Sequence, residues 1–533
     1  MAKVDYSEKQ VLLIETSGNM RSTIFYMLRS LGVSNLKAVT INDRILNEIS
    51  ENNYDVILLG HNVRDSVTGI QLLEECRYRG YIKASACWIF MTSDASQEVI
   101  LHAIDSRPDD VIMKPFTVDE LKHRLDSILY RKEVFEPVDS ALEVGDLPSA
   151  INYCRTGFSP YDAEYDEAQL ILSRLLNEFQ KYAEAAKVAE KNYWKTHDKE
   201  SGLIWAQALI GLGKMKDAKG LLHELIEEFP LFIAAYDLLS KVHEQGGDLE
   251  KARDVTHEAT QKSPMGIPRQ MELGRLATQT KELDMAGGAY RKSIVLGRHS
   301  CYRSPDPYLR LANVKRLEMT GADGAVATEL YNEFEKTIAQ AYQAFPTDRE
   351  LQVRAALLRS EMFNQLGEVD EANKCTREAQ RVNEELENPL SLDRELLSVT
   401  GDAVPILEPE EHKPAKAKGR QRDPEMSLKV NRLGVKHYLA GKMPQALKYF
   451  GLATEYDSSN AGALLNLAQL FLESARDSSD KRDERLRMVE RYLKLSDRLS
   501  LEDVERDKQQ LLRRFLRHDI SLLPSGSLGN LLR

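Results

Sequence analysis

Residues 54–60 read YDVILLG, four apolar side chains in unbroken succession between a Tyr-Asp pair and a glycine. A run this short and this continuous is the pattern of a strand covered on both faces. On either side, VLLIE (11–15), Leu36–Thr40, Ala86–Thr92 and Asp110–Met113 repeat it. Amphipathic stretches near 19–31, 42–52, 68–78, 96–106 and 117–130 lie between them. Five strand–helix units predict a doubly wound, five-stranded parallel sheet with helices on both faces. Side chains that act in such a sheet collect at the carboxyl ends of its strands. The residues at and after positions 15, 60, 92 and 113 therefore carry the interest.

The pieces VLLIE, YDVILLG, GIQLLEECR (69–77), FMTSD (90–94) and DDVIMKPF (109–116) together resemble the receiver domain of bacterial response regulators, the CheY-like fold. The resemblance spans the first 132 residues. It places Lys114-Pro115 at the end of the fifth strand, where the family's lysine contacts a phosphoryl group across a bond that is usually cis. Thr92 takes the place of the hydroxyl that binds a phosphoryl oxygen. The resemblance also implies an Mg²⁺ held by carboxylates, as suits a hard cation, and an aspartate that accepts the phosphoryl group. Here the chain departs from the family. Two acidic residues should close the first strand, and the chain has Glu15-Thr16. The acceptor position is Gly60, which has no side chain. Val111 stands where a switching Tyr or Phe is usual. We therefore expect a degenerate receiver with no catalytic residue, no metal and no cofactor. Three nearby groups could supply chemistry instead. His61 reads as a surface or loop-packing histidine, Asp65 as a turn residue and Asp94 as a helix cap.

From about residue 136 the period changes. A G-x-x-x-x-A half-motif appears at Gly145/Ala150, Gly213/Ala218 and Gly247/Ala252, with Gln180/Ala185 and Lys281/Ala286 as variants. The alanines step by 35, 33, 34 and 34 (150, 185, 218, 252, 286). That is the period of tetratricopeptide repeats, pairs of helices that stack because one pair cannot bury its apolar face alone. Pro230 and Pro264 are 34 apart, Tyr236 takes an aromatic position, and Gly274 sits where paired helices approach closely. A further unit is expected at Gly367/Ala372, with longer helices over 306–345. Residues 133–400 thus form an all-α superhelix. Residues 401–426, with four prolines and few bulky apolar residues, read as a flexible linker. Within it Glu408, Glu410 and Glu411 precede Lys413, Lys416, Lys418, Arg420 and Arg422. Repeats resume over 427–500, with Leu433, Gly434, Gly441, Ala446, Phe450 and Ala453 on the pattern. Asn431 and Asn466 lie near positions that grip a carboxylate in some such repeats, but no lysine of the repeat completes the set. Residues 501–533 read as a helix, basic over 502–517, and a mobile or partner-bound tail.

The 533-residue chain carries a net charge of −11, which argues against nucleic acid as its main partner. No run approaches the ~20 apolar residues of a membrane span, and the N-terminus shows no secretory signal, so a cytoplasmic location is expected. The five cysteines are scattered and suggest neither disulfides nor zinc. Hydrolase, nucleotide-binding and metalloprotease motifs are missing. The sequence therefore predicts a non-enzymatic adaptor of two-component signalling. Its expected partners are proteins: a sensor histidine kinase, another response regulator, a motility or envelope assembly, or a second copy in a homodimer. The alternative is a regulator phosphorylated at an atypical site that controls binding by the repeats.

Overall fold

The computed structural model describes residues 5–42, 44–400, 424–457, 459–477, 482–497, 499, 501, 503–517, 523–524 and 528. Two compact units divide near Pro414.

The first unit opens with strands β1 (Gln10–Ile14), β2 (Asn35–Val39), β3 (Val56–His61), β4 (Cys87–Thr92) and β5 (Asp110–Met113). They form one sheet in the order β2-β1-β3-β4-β5, all parallel. Helices α1 (Gly18–Ser30), α2 (Ile45–Glu51), α3 (Gly69–Tyr78), α4 (Gln97–Asp105) and α5 (Val118–Val134) cover both faces. Alternation along each strand sends Leu13, Leu58 and Ile89 into one core with Ile24 and Leu125. Leu12, Leu59 and Trp88 enter the other with Leu73 and Ile49. Helix starts are fixed locally: Thr68 and Gln71 form a reciprocal capping box on α3, and Thr117 caps α5. The chain order reverses between β1 and β3, so the carboxyl ends of these strands open the crevice of the fold.

Helical hairpins follow: α6 (Glu136–Glu143) with α7 (Leu147–Thr156), α8 (Tyr165–Glu178) with α9 (Tyr182–Thr196), α10 (Lys199–Gly211) with α11 (Met215–Glu228). Next come α12 (Ile233–Gln245) with α13 (Leu249–Lys262), and α14 (Ile267–Gln279) with α15 (Leu283–Leu296). The array then lengthens through α16 (Asp306–Glu318), α17 (Gly324–Ala344), α18 (Arg349–Leu366), α19 (Val369–Glu384) and α20 (Leu392–Thr400). Each hairpin turn passes through one left-handed residue. Gly145, Gly213, Gly247 and Gly367 have φ between +74° and +79°, and Gln180 and Lys281 adopt +59° and +61° in the same place. Five positions later, Ala150, Ala185, Ala218, Ala252 and Ala286 are fully buried, and Ala372 is 2% exposed. Twelve positions before the alanine, from the second of these hairpins on, stands a small residue: Ser173, Ala206, Ser240, Gly274 or Ser360. A Cβ on Gly274 would lie 2.4 Å from the Tyr290 ring. Ser240 and Ser360 each donate a hydrogen bond to the facing alanine carbonyl, Ala252 at 2.9 Å and Ala372 at 3.0 Å. Tyr236 and Gln270, six residues after Pro230 and Pro264, each donate to that proline's carbonyl.

Gln180 and Lys281 hold a left-handed conformation that costs an L-residue about 1–2 kcal/mol. Glycine gives back part of that through the unfolded chain. Gln180→Gly and Lys281→Gly are each expected to stabilise the array by roughly 0.5–1 kcal/mol, read as a higher thermal midpoint. An unchanged or lower midpoint in both would contradict the turn assignment.

The receiver-like sheet and the repeats pack together through α4. Leu101, 6% exposed, sits with Ile233, Tyr236 and Ala259 of α12 and α13. Met265, between α13 and α14, packs on the core that holds Val99 and Ala103. Arg269 bridges Asp105 of α4 at 3.2 Å and Asp237 of α12 at 2.8 Å, and Ser263 donates to Asp105 at 3.2 Å. The Tyr78 and Tyr302 rings meet edge to face.

The second unit contains α21 (Pro424–Leu439), α22 (Met443–Tyr456), α23 (Ala461–Asp477), α24 (Arg482–Ser496) and α25 (Asp503–Arg517). Gly441 has φ +71°, Ala446, Phe450 and Ala453 are buried, and a Cβ on Gly434 would meet the Phe450 ring at 2.5 Å. Leu433, which falls on the repeat pattern, is 40% exposed, and Val430 and Tyr438 occupy the inward face. Most of the expected linker, including its run of charged residues from Glu408 to Arg422, lies outside the described residues; Pro424–Met426 already belong to α21. The tail, expected to be mobile or partner-bound, is instead packed against its own unit at Leu528. That side chain is fully buried with Leu465, Leu472 and Leu512, and its amide donates to Glu473 at 2.6 Å.

Candidate functional site

The carboxyl ends of β1, β3, β4 and β5 bring Glu15, Gly60, Thr92 and Lys114 into one pocket. Glu15 is 2% exposed. Its Oε2 accepts from Lys114 Nζ at 2.9 Å, and its Oε1 accepts from the Ser17 amide at 3.0 Å. The Lys114 side chain is 7% exposed, so the ion pair is buried. A Cβ built on Gly60 would fall 2.4 Å from Glu15 Oε2 and 2.9 Å from its Cδ. The Glu15 carboxylate therefore fills the space that a side chain at position 60 would occupy. Gly60 is constrained from the other side too, because Gly69 approaches its carbonyl so closely that a Cβ there would lie 2.3 Å away. The Lys114–Pro115 bond is cis.

The neighbouring polar groups are also engaged. The Thr16 hydroxyl donates to Asp65, whose other oxygen accepts from Asn62 at 3.1 Å. Thr92 is fully buried, and its hydroxyl oxygen accepts from the Asp94 amide at 3.0 Å. Asp94 is not the cap of α4. Its carboxylate accepts from the amide of Ser96, the residue at the cap position, at 2.9 Å. Val111 is half-buried and packs on the core beneath. The residues present do not fit a divalent cation: Glu15 is held by a lysine, Asp65 by Thr16 and Asn62, and positions 16 and 60 offer no carboxylate. No group of three or more His, Cys, Asp or Glu suited to a metal occurs among the described residues.

His61 is the last residue of β3 and is 3% exposed, unlike a surface histidine. Its ring leans on Phe90, with centroids 5.3 Å apart, and neither ring nitrogen has a hydrogen-bond partner. Burial, reinforced by the Lys114 charge, pushes its pKa down to about 4. The ring is thus neutral at ordinary pH and closed off from solvent.

The repeat signature residues are scaffold and not site. Ala150, Ala185, Ala218, Ala252 and Ala286 each lie in the second helix of a hairpin with no exposed surface, as does Ala446 in the second unit. A methyl group closed in at a helix crossing presents no surface, so these alanines position the array. Gly145, Gly213, Gly247 and Gly441 likewise serve the turns, where their left-handed φ is the constraint, because a Cβ on any of them would meet nothing within 4 Å.

In the second unit Asn466 donates to Asn431 at 3.0 Å and accepts from Lys508 at 2.5 Å. Burial pushes the Lys508 ammonium down to about 8. The lysine that meets these asparagines comes from α25, outside the repeat. Among the described residues no helix is long and apolar enough to cross a membrane.

Residues 11–126 match the response regulator receiver domain family. The chain is similar to the chemotaxis protein CheY-3 of Vibrio cholerae, 27% identical over 122 residues, or 23% of this chain and 92% of that protein. It is 26% identical to the chemotaxis protein CheY of Pseudomonas aeruginosa over 122 residues, 23% of this chain and 97% of that protein. Among solved structures it is similar to MamA of Desulfovibrio magneticus RS-1, at 19% identity and a TM-score of 0.28 over 31% of this chain and 94% of that one. It is also similar to a tetratricopeptide repeat protein from Parabacteroides merdae, at 15% identity and a TM-score of 0.31 over 50% and 98%. The sheet order and the family match identify the first domain as a response regulator receiver, joined in this chain to an array of tetratricopeptide-type hairpins.

Proposed function

We propose that this protein is a non-catalytic signalling adaptor whose receiver domain is locked without phosphorylation. The observation that carries the reading is the Glu15–Lys114 pair, which stands in the space an acceptor side chain would need. A receiver uses its lysine to sense a phosphoryl group; here the same lysine already has a permanent carboxylate partner. The repeats offer the extended surface typical of stacked hairpins, and the α4 face of the receiver is spent on holding them. Partner docking on the receiver then falls to other faces, such as α1, where Tyr26 is 71% exposed beside Phe25. Sensor kinases, competent response regulators and motility or envelope assemblies are the partner classes that fit this design.

The test is affinity purification of the tagged full-length chain from its own organism, with mass spectrometry of what stays bound, with and without Mg²⁺ and acetyl phosphate. The same protein partners are expected under both conditions. A partner set that changes with Mg²⁺ and acetyl phosphate would overturn the reading in favour of phosphorylation control. Gly60→Asp is expected to remain unphosphorylated and to destabilise the domain by about 1–3 kcal/mol through overpacking against Glu15. Stable labelling of that single variant by a cognate kinase would contradict it.

A further inference from the structure

A groove of about 630 Å³ runs between α9 and α11 over α10. Its floor is Trp205, Leu209 and Ala186, and its walls carry Trp194, 57% exposed, and Leu212, 39% exposed. The chain has three tryptophans, and the third, Trp88, is buried in the receiver core. Two indoles left at one surface groove are unusual, because large aromatics are normally buried when nothing binds them.

The groove has two chemically distinct ends. The antiparallel hairpins bring Trp194 of α9 against Trp205 of α10, with ring centroids 6.2 Å apart, and Tyr193 beside both. Glu190 lies one turn before Trp194, and the charge of Glu224 on α11 acts on Tyr193, so both carboxylates border this end. Neither has a hydrogen-bond or ion-pair partner among the described residues. The opposite end holds Leu212, set by the close approach of Gly211 to Tyr182, together with Lys214, Asp217 and, nearer the middle, Lys187. Indole faces bordered by free carboxylates attract a guanidinium, which stacks on aromatic rings and pairs with carboxylates at once. The aliphatic middle favours apolar side chains, and the two lysines favour an acidic one beyond them.

We infer that this groove binds a partner peptide segment that carries an arginine at one end, apolar residues in the middle and an acidic residue at the other. This rests on the reading that the repeats hold a protein partner, and it adds where and by what chemistry. It is independent of the state of the receiver pocket, so its failure and the failure of the phosphorylation-independent reading are separately visible.

The experiment is selection of a random 12-residue phage-displayed peptide library on the full-length protein, followed by titration of the synthetic winners by tryptophan fluorescence. Arginine-bearing apolar peptides are expected to be enriched. Their binding should shift the emission, weaken at least tenfold with Trp194→Ala or Glu224→Lys, and weaken similarly when arginine is replaced by neutral citrulline. Both substituted side chains are exposed, so the fold should be kept, which circular dichroism checks. Failure to select peptides, winners without arginine, or equal binding to Trp194→Ala would overturn the proposal. So would a concentration-dependent dimer of the full-length chain that Trp194→Ala abolishes, because the groove would then be an interface between copies.

Discussion

Glu15→Ala is expected to destabilise the receiver domain by about 3–5 kcal/mol, the usual cost of removing one partner from a buried ion pair. The reason is the lysine left behind. Among the described residues, Glu15 is the carboxylate within bonding distance of Lys114 Nζ, at 2.9 Å, and the lysine side chain is 7% exposed. Without Glu15 the ammonium must lose its charge, draw in water or pull the β5 end out of place. The Ser17 amide at the start of α1 also loses its acceptor. Replacing both partners with apolar residues of similar size, as in Glu15→Leu with Lys114→Met, should restore most of the loss, since a pair removed whole leaves no stranded charge. Urea unfolding of the full-length protein with Trp194 and Trp205 changed to phenylalanine, so that the buried Trp88 alone reports, measures both variants. A loss below about 1 kcal/mol for Glu15→Ala would mean that the pair is exposed to water and does not hold the pocket shut.

The second large effect belongs to the contact between receiver and repeats. Leu101→Asp places a carboxylate among Ile233, Tyr236 and Ala259, where the cations near the contact, Lys262 over the Tyr236 ring and Arg269 on Asp105, already have carboxylate partners. Burying an unpaired charge costs several kcal/mol, and separation of the two surfaces is the easier way out. The receiver is therefore expected to detach while its own sheet stays folded. Amide hydrogen exchange across α4 and α12–α14 should rise at least tenfold. Exchange in β1, β3 and β4 should stay as it was. Arg269→Ala should act in the same direction with a smaller effect of about 1.5–3 kcal/mol, because it removes charge-assisted bonds to Asp105 and Asp237 but leaves the apolar contact. Unchanged exchange in Leu101→Asp would show that α4 is not fastened to the repeats.

Much of the fold was legible because its signals are local. Continuous apolar runs such as Val56–Leu59 mark strands covered on both faces, and the recurring alanine, from Ala150 to Ala286, marks the tight crossing of paired helices. The same burial that makes those alanines legible as architecture removes them from any binding surface. The degenerate turns were legible too: Gln180 and Lys281 kept the spacing although they lost the glycine. What the sequence did not reveal depends on contacts between distant residues. Glu15 looked like the surviving half of a metal site. Its partnership with Lys114, 99 residues away, and its intrusion into the space beside Gly60 follow from three strands converging at one edge. His61 reads as a surface or loop-packing histidine; it is a packed one, but within β3, because the strand continues through it beside Phe90. Leu433 shows the limit of a repeat pattern, which gives the period but not which residue of a broad apolar face turns outward. Lys508 lies outside the repeat whose asparagines it meets, so no motif spacing could have placed it there.

The most direct test of the central claim is amide hydrogen exchange of the full-length protein with Mg²⁺ and beryllofluoride, a mimic of the phosphoryl group, read on the peptides that contain Glu15, Gly60, Thr92 and Lys114. The same exchange is expected with and without the additions, because the Glu15–Lys114 pair already fills the pocket. Protection of those peptides on adding Mg²⁺ and beryllofluoride would show an open, phosphoryl-binding receiver and contradict it.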